Sequence, residues 1–237
     1  GKTPMVQYLT RLLQEEYSIQ ILSRGYGRTS KGFRQVTNSD NAQTVGDEPL
    51  TYFEKFSEKV SIFVCEKRLE GVLKMKAIHS EATIILDDAF QHRYVTPGLQ
   101  LILTPFQDQF IHDWHLPSGN LREAKEGANR ADAIIITKCP KLTEEEREHH
   151  RKNYDLYQKP LFFSSIEYGE FQAIGLPIQE MKNILLVSGI SSSTSLKNHL
   201  MEKHHVEELK FGDHHSFTPT DIKEIHRKFD TFADKEM

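Results

Sequence analysis

The chain opens with GKTPMVQYLTRLL at residues 1–13, the stretch that indicates how the first half of the molecule folds. Residues 1–3 match the end of the phosphate-binding loop G-x-x-x-x-G-K-[ST], in which backbone N–H groups surround phosphates, the Lys contacts the β/γ-phosphates and the hydroxyl binds Mg²⁺. Apolar residues at helical spacing follow from Val6 to Leu13 and predict a helix directly after the motif. An ordinary helix start remains the alternative. The motif also places a strand and a first glycine before Gly1, so we expect the sequence to be an N-terminal truncation.

Composition limits the classes of protein that this chain can be. Its 237 residues suit one large or two modest domains, and 38% hydrophobic with 27% charged residues is typical of a folded globular protein. A net charge of −4 argues against bulk binding of nucleic acid. No apolar run reaches the roughly 18 residues that a membrane-spanning helix needs. The two cysteines, Cys65 and Cys139, are far apart and indicate a reducing compartment rather than a disulfide framework.

Short apolar runs alternate with amphipathic stretches through the first two-thirds of the chain. The predicted strands are 18–22, 60–64, 83–86, 99–103, 133–137 and 161–164. The predicted helices are 3–16, 49–58, 66–78 and 143–155. Strands separated by helices of this length indicate βαβ units. We therefore predict an α/β fold of the P-loop NTPase type, with a mostly parallel sheet flanked by helices.

A second, smaller α/β domain is predicted after a change of pattern near residue 165. We assign 1–165 to the core domain, 166–182 to a linker or short β-hairpin and 183–237 to the smaller domain. Its expected elements are a strand at 183–187, a helix at 192–203, a strand at 206–211 and a last helix. Thr218 and Asp221 have the spacing of a capping box at the start of that helix.

Two adjacent carboxylates follow the predicted strand at 83–86. Asp87 and Asp88 lie at the carboxyl end of that strand, where open α/β sheets bind ligands and where P-loop enzymes hold Mg²⁺. A turn or capping role would also explain them. The following residues, AFQHR (89–93), add amide, imidazole and guanidinium groups to the same loop, which favours a functional role.

Four further segments carry chemistry-bearing side chains. SRGYGR (23–28) combines glycines that let a backbone approach an anion with two arginines, although a basic surface loop would look the same. VGDEP (45–49) puts acidic residues at a helix start, where a capping role is the simpler explanation. LPSGNLRE (116–123) is a turn entering a helix, and GDHH (212–215) suggests a His oriented by an Asp rather than a zinc site. The segment TKCP (137–140) lacks the Asp that nucleotide-base recognition needs.

Taken together and in order, GKTP, SRGYGR, VGDEP, DDAFQHR, LPSGNLRE and DHH resemble the tetraacyldisaccharide 4′-kinases of lipid A biosynthesis, from residue 1 to about residue 220. The resemblance implies a P-loop α/β domain, a short β linker and a smaller domain that closes over the cleft. It also implies transfer of the ATP γ-phosphate to the 4′-hydroxyl of a tetraacyl glucosamine disaccharide 1-phosphate. This would occur peripherally at the cytoplasmic face of the bacterial inner membrane, and we expect a monomer.

The resemblance also implies roles for individual residues. The expected ATP-binding residues are Gly1, Lys2, Thr3 and Gln91, and the expected Mg²⁺ ligands are Thr3, Asp87 and Asp88. The expected substrate-binding residues are Tyr26, Glu48, Arg68 and Asn120. Lys2, Asp47 and His214 are the expected catalytic residues, with Asp47 as the base and His214 preferred over His215 as its partner. Ala89 replaces the glycine of the family's DDGFQH, which requires only a negative φ there. Without a complete phosphate-binding loop, we expect this chain to be unable to hold ATP.

Two other functions stay open on the sequence. A P-loop nucleotide-switch protein or metallochaperone would share the first motif, although Pro140 counts against base recognition. A non-catalytic lipid- or sugar-binding module would use the arginine-rich loops alone.

Overall fold

The computed structural model describes residues 1–173, 181–190, 192–213 and 215–231. The chain divides into two compact units, Gly1–Glu167 and Tyr168–Met237. The proposed linker at 166–182 includes residues 174–180, which lie outside the described residues.

The first unit is built around a four-stranded sheet. Its strands, in spatial order, are β2 (Arg34–Gln35), β3 (Ser61–Val64), β1 (Ile19–Ser23) and β4 (Thr83–Leu86). β1 pairs in parallel with β3 and β4, whereas the two-residue strand β2 is antiparallel and was not predicted. All five residues of β1 are buried, as expected for a central strand with both faces covered.

Four helices accompany this sheet. They are α1 (Lys2–Leu13), α2 (Ala42–Val45), α3 (Asp47–Phe56) and α4 (Arg68–Ile78). Val6 of α1 and Tyr52 and Phe56 of α3 pack into the main core with the β1 and β3 side chains. The predicted helix at this point is confirmed, and Val6 and Leu13 of its apolar stripe pack on this core, whereas Leu12 is 60% exposed.

The remaining strands of the first unit form a separate three-stranded sheet. It contains β5 (Leu101–Pro105), β6 (Ala133–Thr137) and β7 (Leu161–Phe163), all parallel, with α5 (Glu144–Tyr154) before β7. The expected single sheet is thus present as two, because β4 and β5 do not pair and a cavity separates them. The helix predicted after 116–123 is a 3₁₀ helix at Lys125–Arg130.

The second unit contains β8 (Asn183–Ser188), α6 (Thr194–Met201), β9 (His205–Lys210) and α7 (Pro219–Asp230). β8 and β9 are parallel, as a connection through a helix requires. The Thr218 side chain accepts from Asp221 N and the Asp221 side chain reaches back to the backbone of Thr218, so the capping box is confirmed. Among the described residues, no helix combines the length and apolar character needed to cross a membrane.

Candidate active site

The charged groups of the amino-terminal motif and of the acidic pair meet at one place. Lys2 lies in the first turn of α1, and its Nζ is 2.6 Å from Asp88 Oδ1. Arg122 Nη1 is 3.5 Å from the other Asp88 oxygen. Partial burial opposes ionisation of Asp88, but Lys2 and Arg122 outweigh it, so the pKa of Asp88 is lowered. Asp88 therefore holds two cations in a site where phosphate oxygens are the expected anions.

Asp87 has a different environment from its neighbour. It is only 4% exposed, and its Oδ2 accepts from the Tyr52 hydroxyl at 3.1 Å and from Ser23 Oγ at 3.5 Å. Burial raises the pKa of Asp87, against the hydrogen bond from Tyr52 and the charge of Lys2. Tyr52 thus makes the shorter of the two hydrogen bonds to the buried carboxylate.

The backbone of the acidic loop is fixed from below by Arg68. This side chain is 1% exposed, and its guanidinium donates to the carbonyl oxygens of Cys65 (2.5 Å) and Asp87 (3.1 Å). Burial lowers the pKa of Arg68, partly offset by the charges of Asp87 and Asp88. The structure places Arg68 beneath the site, and both of its hydrogen bonds go to backbone carbonyl oxygens.

Asp88 itself has φ = +49°, a left-handed conformation that Asp tolerates better than most residues. Ala89, by contrast, is not among the residues with positive φ, so its replacement of the family glycine causes no strain there.

The loop after the acidic pair is tied to the LPSGNLRE segment through Glu123. Its carboxylate accepts from Arg130 at 3.0 Å, from Arg93 at 3.3 Å and from Gln91 Nε2 at 3.5 Å. Arg130 also stacks its guanidinium 4.4 Å from the Phe90 ring centroid. Glu123 and Arg130 therefore hold residues 90–93 in place, including the expected nucleotide-side residue Gln91.

Asp47 and Glu48 occupy the first turn of α3, as their motif predicted. The preceding Gly46 has φ = +94°, and a Cβ at that position would lie 3.0 Å from the carbonyl oxygen of Tyr26. Only glycine suits this position, because α2 must turn into α3 beside the Gly25–Tyr26 backbone. The same glycine therefore sets Asp47 at a helix start and brings the loop of Tyr26 close to it. The Tyr26 side chain itself is 73% exposed.

Several predicted site residues border one cavity of about 1350 Å³ in the first unit. Its walls include Lys2, Asp87, Asp88, Gln91 and Asn120, together with side chains of β4 and β5. The backbone N–H of Asn120 donates to Asp113 at 3.2 Å, which fixes the turn that carries it. Gly1, at the amino terminus, precedes Lys2. The cavity lining does not include Thr3, Tyr26, Asp47, Glu48 or Arg68.

One of the expected site residues belongs to the second unit of the chain. His214 lies outside the described residues. Its neighbour His215 has its Nε2 3.0 Å from Asp221 Oδ2, and its ring stacks on Phe211 at 4.8 Å. His215 is thus engaged with the capping carboxylate of α7.

Comparison with known proteins decides the family. The family model described as LpxK, tetraacyldisaccharide-1-P 4′-kinase, matches residues 1–235. The chain belongs to this family. It is 39% identical over 243 residues to the tetraacyldisaccharide 4′-kinase of Phocaeicola vulgatus, covering 97% of this chain and 66% of that protein. It is 40% identical over 238 residues to that of Flavobacterium psychrophilum, covering 96% and 69%.

A solved member of the tetraacyldisaccharide 4′-kinase family supports the fold. The crystal structure of LpxK from Aquifex aeolicus, an "apo" form in complex with ATP, superposes with a TM-score of 0.69 at 30% identity, over 92% of this chain and 70% of that one. The P-loop NTPase-like α/β fold is therefore confirmed. The chain spans about two thirds of the length of these curated relatives.

The residues expected to hold magnesium are oxygen donors. No group of three or more His, Cys, Asp or Glu side chains able to hold a metal occurs among residues 1–173, 181–190, 192–213 and 215–231. Mg²⁺ typically takes one or two protein carboxylates and completes its shell with water and substrate phosphates. The oxygen donors Thr3, Asp87 and Asp88 match that pattern.

Sequence reasoning missed Tyr52 and gave Arg122 and Glu123 no role. Tyr52 carries no motif, but a tyrosine on the buried face of a helix needs a partner for its hydroxyl, which is the signal that could have identified it.

Proposed function

We propose that this chain carries the nucleotide site and acceptor-side residues of a tetraacyldisaccharide 4′-kinase. The reaction transfers the ATP γ-phosphate to the 4′-hydroxyl of a tetraacyl glucosamine disaccharide 1-phosphate. The observation that carries the proposal is the convergence of Lys2 on Asp88, beside the buried Asp87, in a chain of this family. Family membership counts against the nucleotide-switch protein or metallochaperone and against the non-catalytic module.

Phosphoryl transfer demands positioning and charge neutralisation rather than covalent chemistry from the protein. Lys2 would provide the cation for the β/γ-phosphates, since its Nζ already lies 2.6 Å from the partly exposed Asp88 carboxylate at this site. Asp87, Asp88 and Thr3 would hold Mg²⁺, which neutralises phosphate charge when bound. Gln91 donates a hydrogen bond to Glu123 and is proposed to contact the nucleotide.

On the acceptor side, Asp47 is proposed as the base that takes the 4′-hydroxyl proton, with His214 as its partner. Tyr26, Glu48 and Asn120 are proposed to bind the disaccharide, and the fixed position of the Tyr26 backbone next to Gly46 supports the first two as neighbours of Asp47. Arg68 is proposed to contribute to this site indirectly, because its guanidinium donates a hydrogen bond to the Asp87 carbonyl oxygen. Closure of the smaller domain over 1–165 would exclude water from the phosphate.

The substrate is a lipid, so we also propose peripheral association with the cytoplasmic face of the inner membrane and action as a monomer. Flotation of the complete gene product with anionic vesicles tests the first, and its sedimentation in detergent tests the second.

The decisive experiment measures whether ATP turnover depends on the acylated acceptor. The complete gene product is incubated with Mg·ATP and the tetraacyl disaccharide 1-phosphate, and with the deacylated disaccharide as the matched control. We expect turnover with the acylated acceptor only, and a loss of at least ~100-fold in kcat/KM for Lys2→Ala, as for other preorganised charge-stabilising groups. Acceptor-independent turnover would refute the kinase proposal, and near-normal transfer by Lys2→Ala would refute the role of Lys2.

A further inference from the structure

Tyr52 is a buried, uncharged side chain that hydrogen-bonds to the acidic pair. It is fully buried in the middle of α3 and belongs to the main core, where an aromatic ring alone would suffice for packing. Its hydroxyl nevertheless donates to Asp87 Oδ2 at 3.1 Å. A phenylalanine would fill the same space without making this contact.

The Tyr52 hydroxyl donates its proton to Asp87, because an ionised carboxylate can only accept. Ser23 donates to the same oxygen, Oδ2, so the two hydroxyls together restrain rotation of the carboxylate. A carboxylate held in this way can present its other oxygen, Oδ1, to a cation.

We propose that Tyr52 is a positioning residue that holds the Asp87 carboxylate in one orientation for metal–nucleotide binding. The inference rests on the proposed use of Mg·ATP at this site. Tyr52 makes no contact with substrate in this role, and acts through the Asp87 carboxylate.

The rest of the Asp87 environment supports a positioning role rather than simple burial. The second hydroxyl on Asp87, from Ser23, is at 3.5 Å and is the weaker contact. Arg68 fixes the Asp87 carbonyl but does not contact its carboxylate. Among the described residues, Tyr52 therefore makes the shortest hydrogen bond to the Asp87 carboxylate, and its loss would free that side chain to rotate.

The test compares Tyr52→Phe with Tyr154→Phe in the complete gene product. Tyr154 is a matched control, because it is also a buried tyrosine, 2% exposed, whose hydroxyl donates to Gln109 at 3.1 Å in a separate core cluster. Free Mn²⁺ is counted by electron paramagnetic resonance during titration, with a non-hydrolysable ATP analogue and no lipid present.

We expect Tyr52→Phe to weaken Mn²⁺·nucleotide binding about tenfold, the size of one hydrogen bond to a charged group. Tyr154→Phe should leave it within twofold while showing a similar drop in Tm. The Mg²⁺ concentration for half-maximal transfer should rise in parallel for Tyr52→Phe, with kcat largely recovered at saturating Mg²⁺. Ser23→Ala should shift metal affinity in the same direction by less, which keeps the test available if Tyr52→Phe does not fold.

Unchanged Mn²⁺ affinity in a folded Tyr52→Phe protein would overturn the positioning role, and so would an equal loss in Tyr154→Phe. If Tyr52→Phe does not fold, unchanged affinity in Ser23→Ala would overturn it. The outcome is separable from that of the proposed function. Weakened metal binding in a protein that phosphorylates no acylated disaccharide would retain the role of Tyr52 and refute the lipid kinase.

Discussion

Arg68 gives the sharpest test of how this site is built, because its expected role in substrate binding and its position differ. The family resemblance places it in the cleft, whereas the structure buries it beneath the acidic loop with hydrogen bonds to Cys65 O and Asp87 O. The perturbation is Arg68→Met, which keeps an unbranched side chain of similar length and removes the donors and the charge.

The size of the effect follows from those two hydrogen bonds. Each bond from a charged donor contributes about 1.5–3 kcal/mol, and each buried acceptor left unsatisfied costs about 1–3 kcal/mol. Relief of the buried charge, whose cost is visible in the lowered pKa of Arg68, works in the opposite direction. We therefore expect a net loss of about 3 kcal/mol in the free energy of unfolding. For a protein of this size that corresponds to a fall in Tm of roughly 6–12 °C.

Differential scanning calorimetry of the complete gene product measures the change in Tm, and initial rates at saturating Mg·ATP measure KM for the lipid acceptor. Arg151→Met is the control, since Arg151 is a partly exposed residue of α5 paired with Glu144 and Glu148, and such pairs contribute about 0–1 kcal/mol. A raised acceptor KM with an unchanged Tm for Arg68→Met would refute this reasoning and restore Arg68 to the cleft.

The remaining predictions concern the two carboxylates and the proposed base. Asp87→Asn should stay folded with an equal or higher Tm at pH 7.5, because burial raises the pKa of Asp87 and its ionisation above about pH 3.9 opposes folding. Titration with Mn²⁺ and nucleotide should show that this variant has lost metal binding. Unaltered metal binding would contradict the role of Asp87 as a ligand. Asp88→Asn should bind ATP more tightly in EDTA, by equilibrium dialysis, because Lys2 no longer has a competing carboxylate; equal or weaker binding would argue against that competition. Asp47→Asn and His214→Ala should each lower kcat with little change in the KM for ATP, and the double variant should be hardly worse than the poorer single one. Additive losses would count against a shared role, and a larger defect in His215→Ala would assign that role to the other histidine.

Elements with a clear hydrophobic period were predictable from the sequence. The strands at β1, β3, β4 and β6 agree with their expected ranges within a residue, because each is a short apolar run between polar loops. β2 was not predictable in the same way. It has two exposed residues, and its existence depends on pairing with β3 rather than on any local pattern.

Site residues that belong to contiguous sequence motifs were predictable, whereas those whose position depends on packing were not. The strands of the first sheet lie between Lys2 and Asp88 in the sequence. The carboxyl ends of parallel strands nevertheless meet at one edge of a sheet, so the contact between these two residues could be anticipated. Whether Arg68 faces the cleft or the core depends on how α4 packs against β1, which no motif specifies.

The helix α3 connects the metal side of the proposed site to its acceptor side. It begins at Asp47 and carries Tyr52 five residues later, a separation of about 7.5 Å along the axis at 1.5 Å per residue. Gly46 fixes where the helix starts, and the hydrogen bond to Asp87 fixes how its buried face is seated. Because a helix in a packed core is stiff, the distance from the proposed base to the metal ligands is set by the backbone of α3 and not by flexible side chains. A mid-helix tyrosine without any motif can therefore matter to the chemistry as much as the conspicuous charged residues at the helix start.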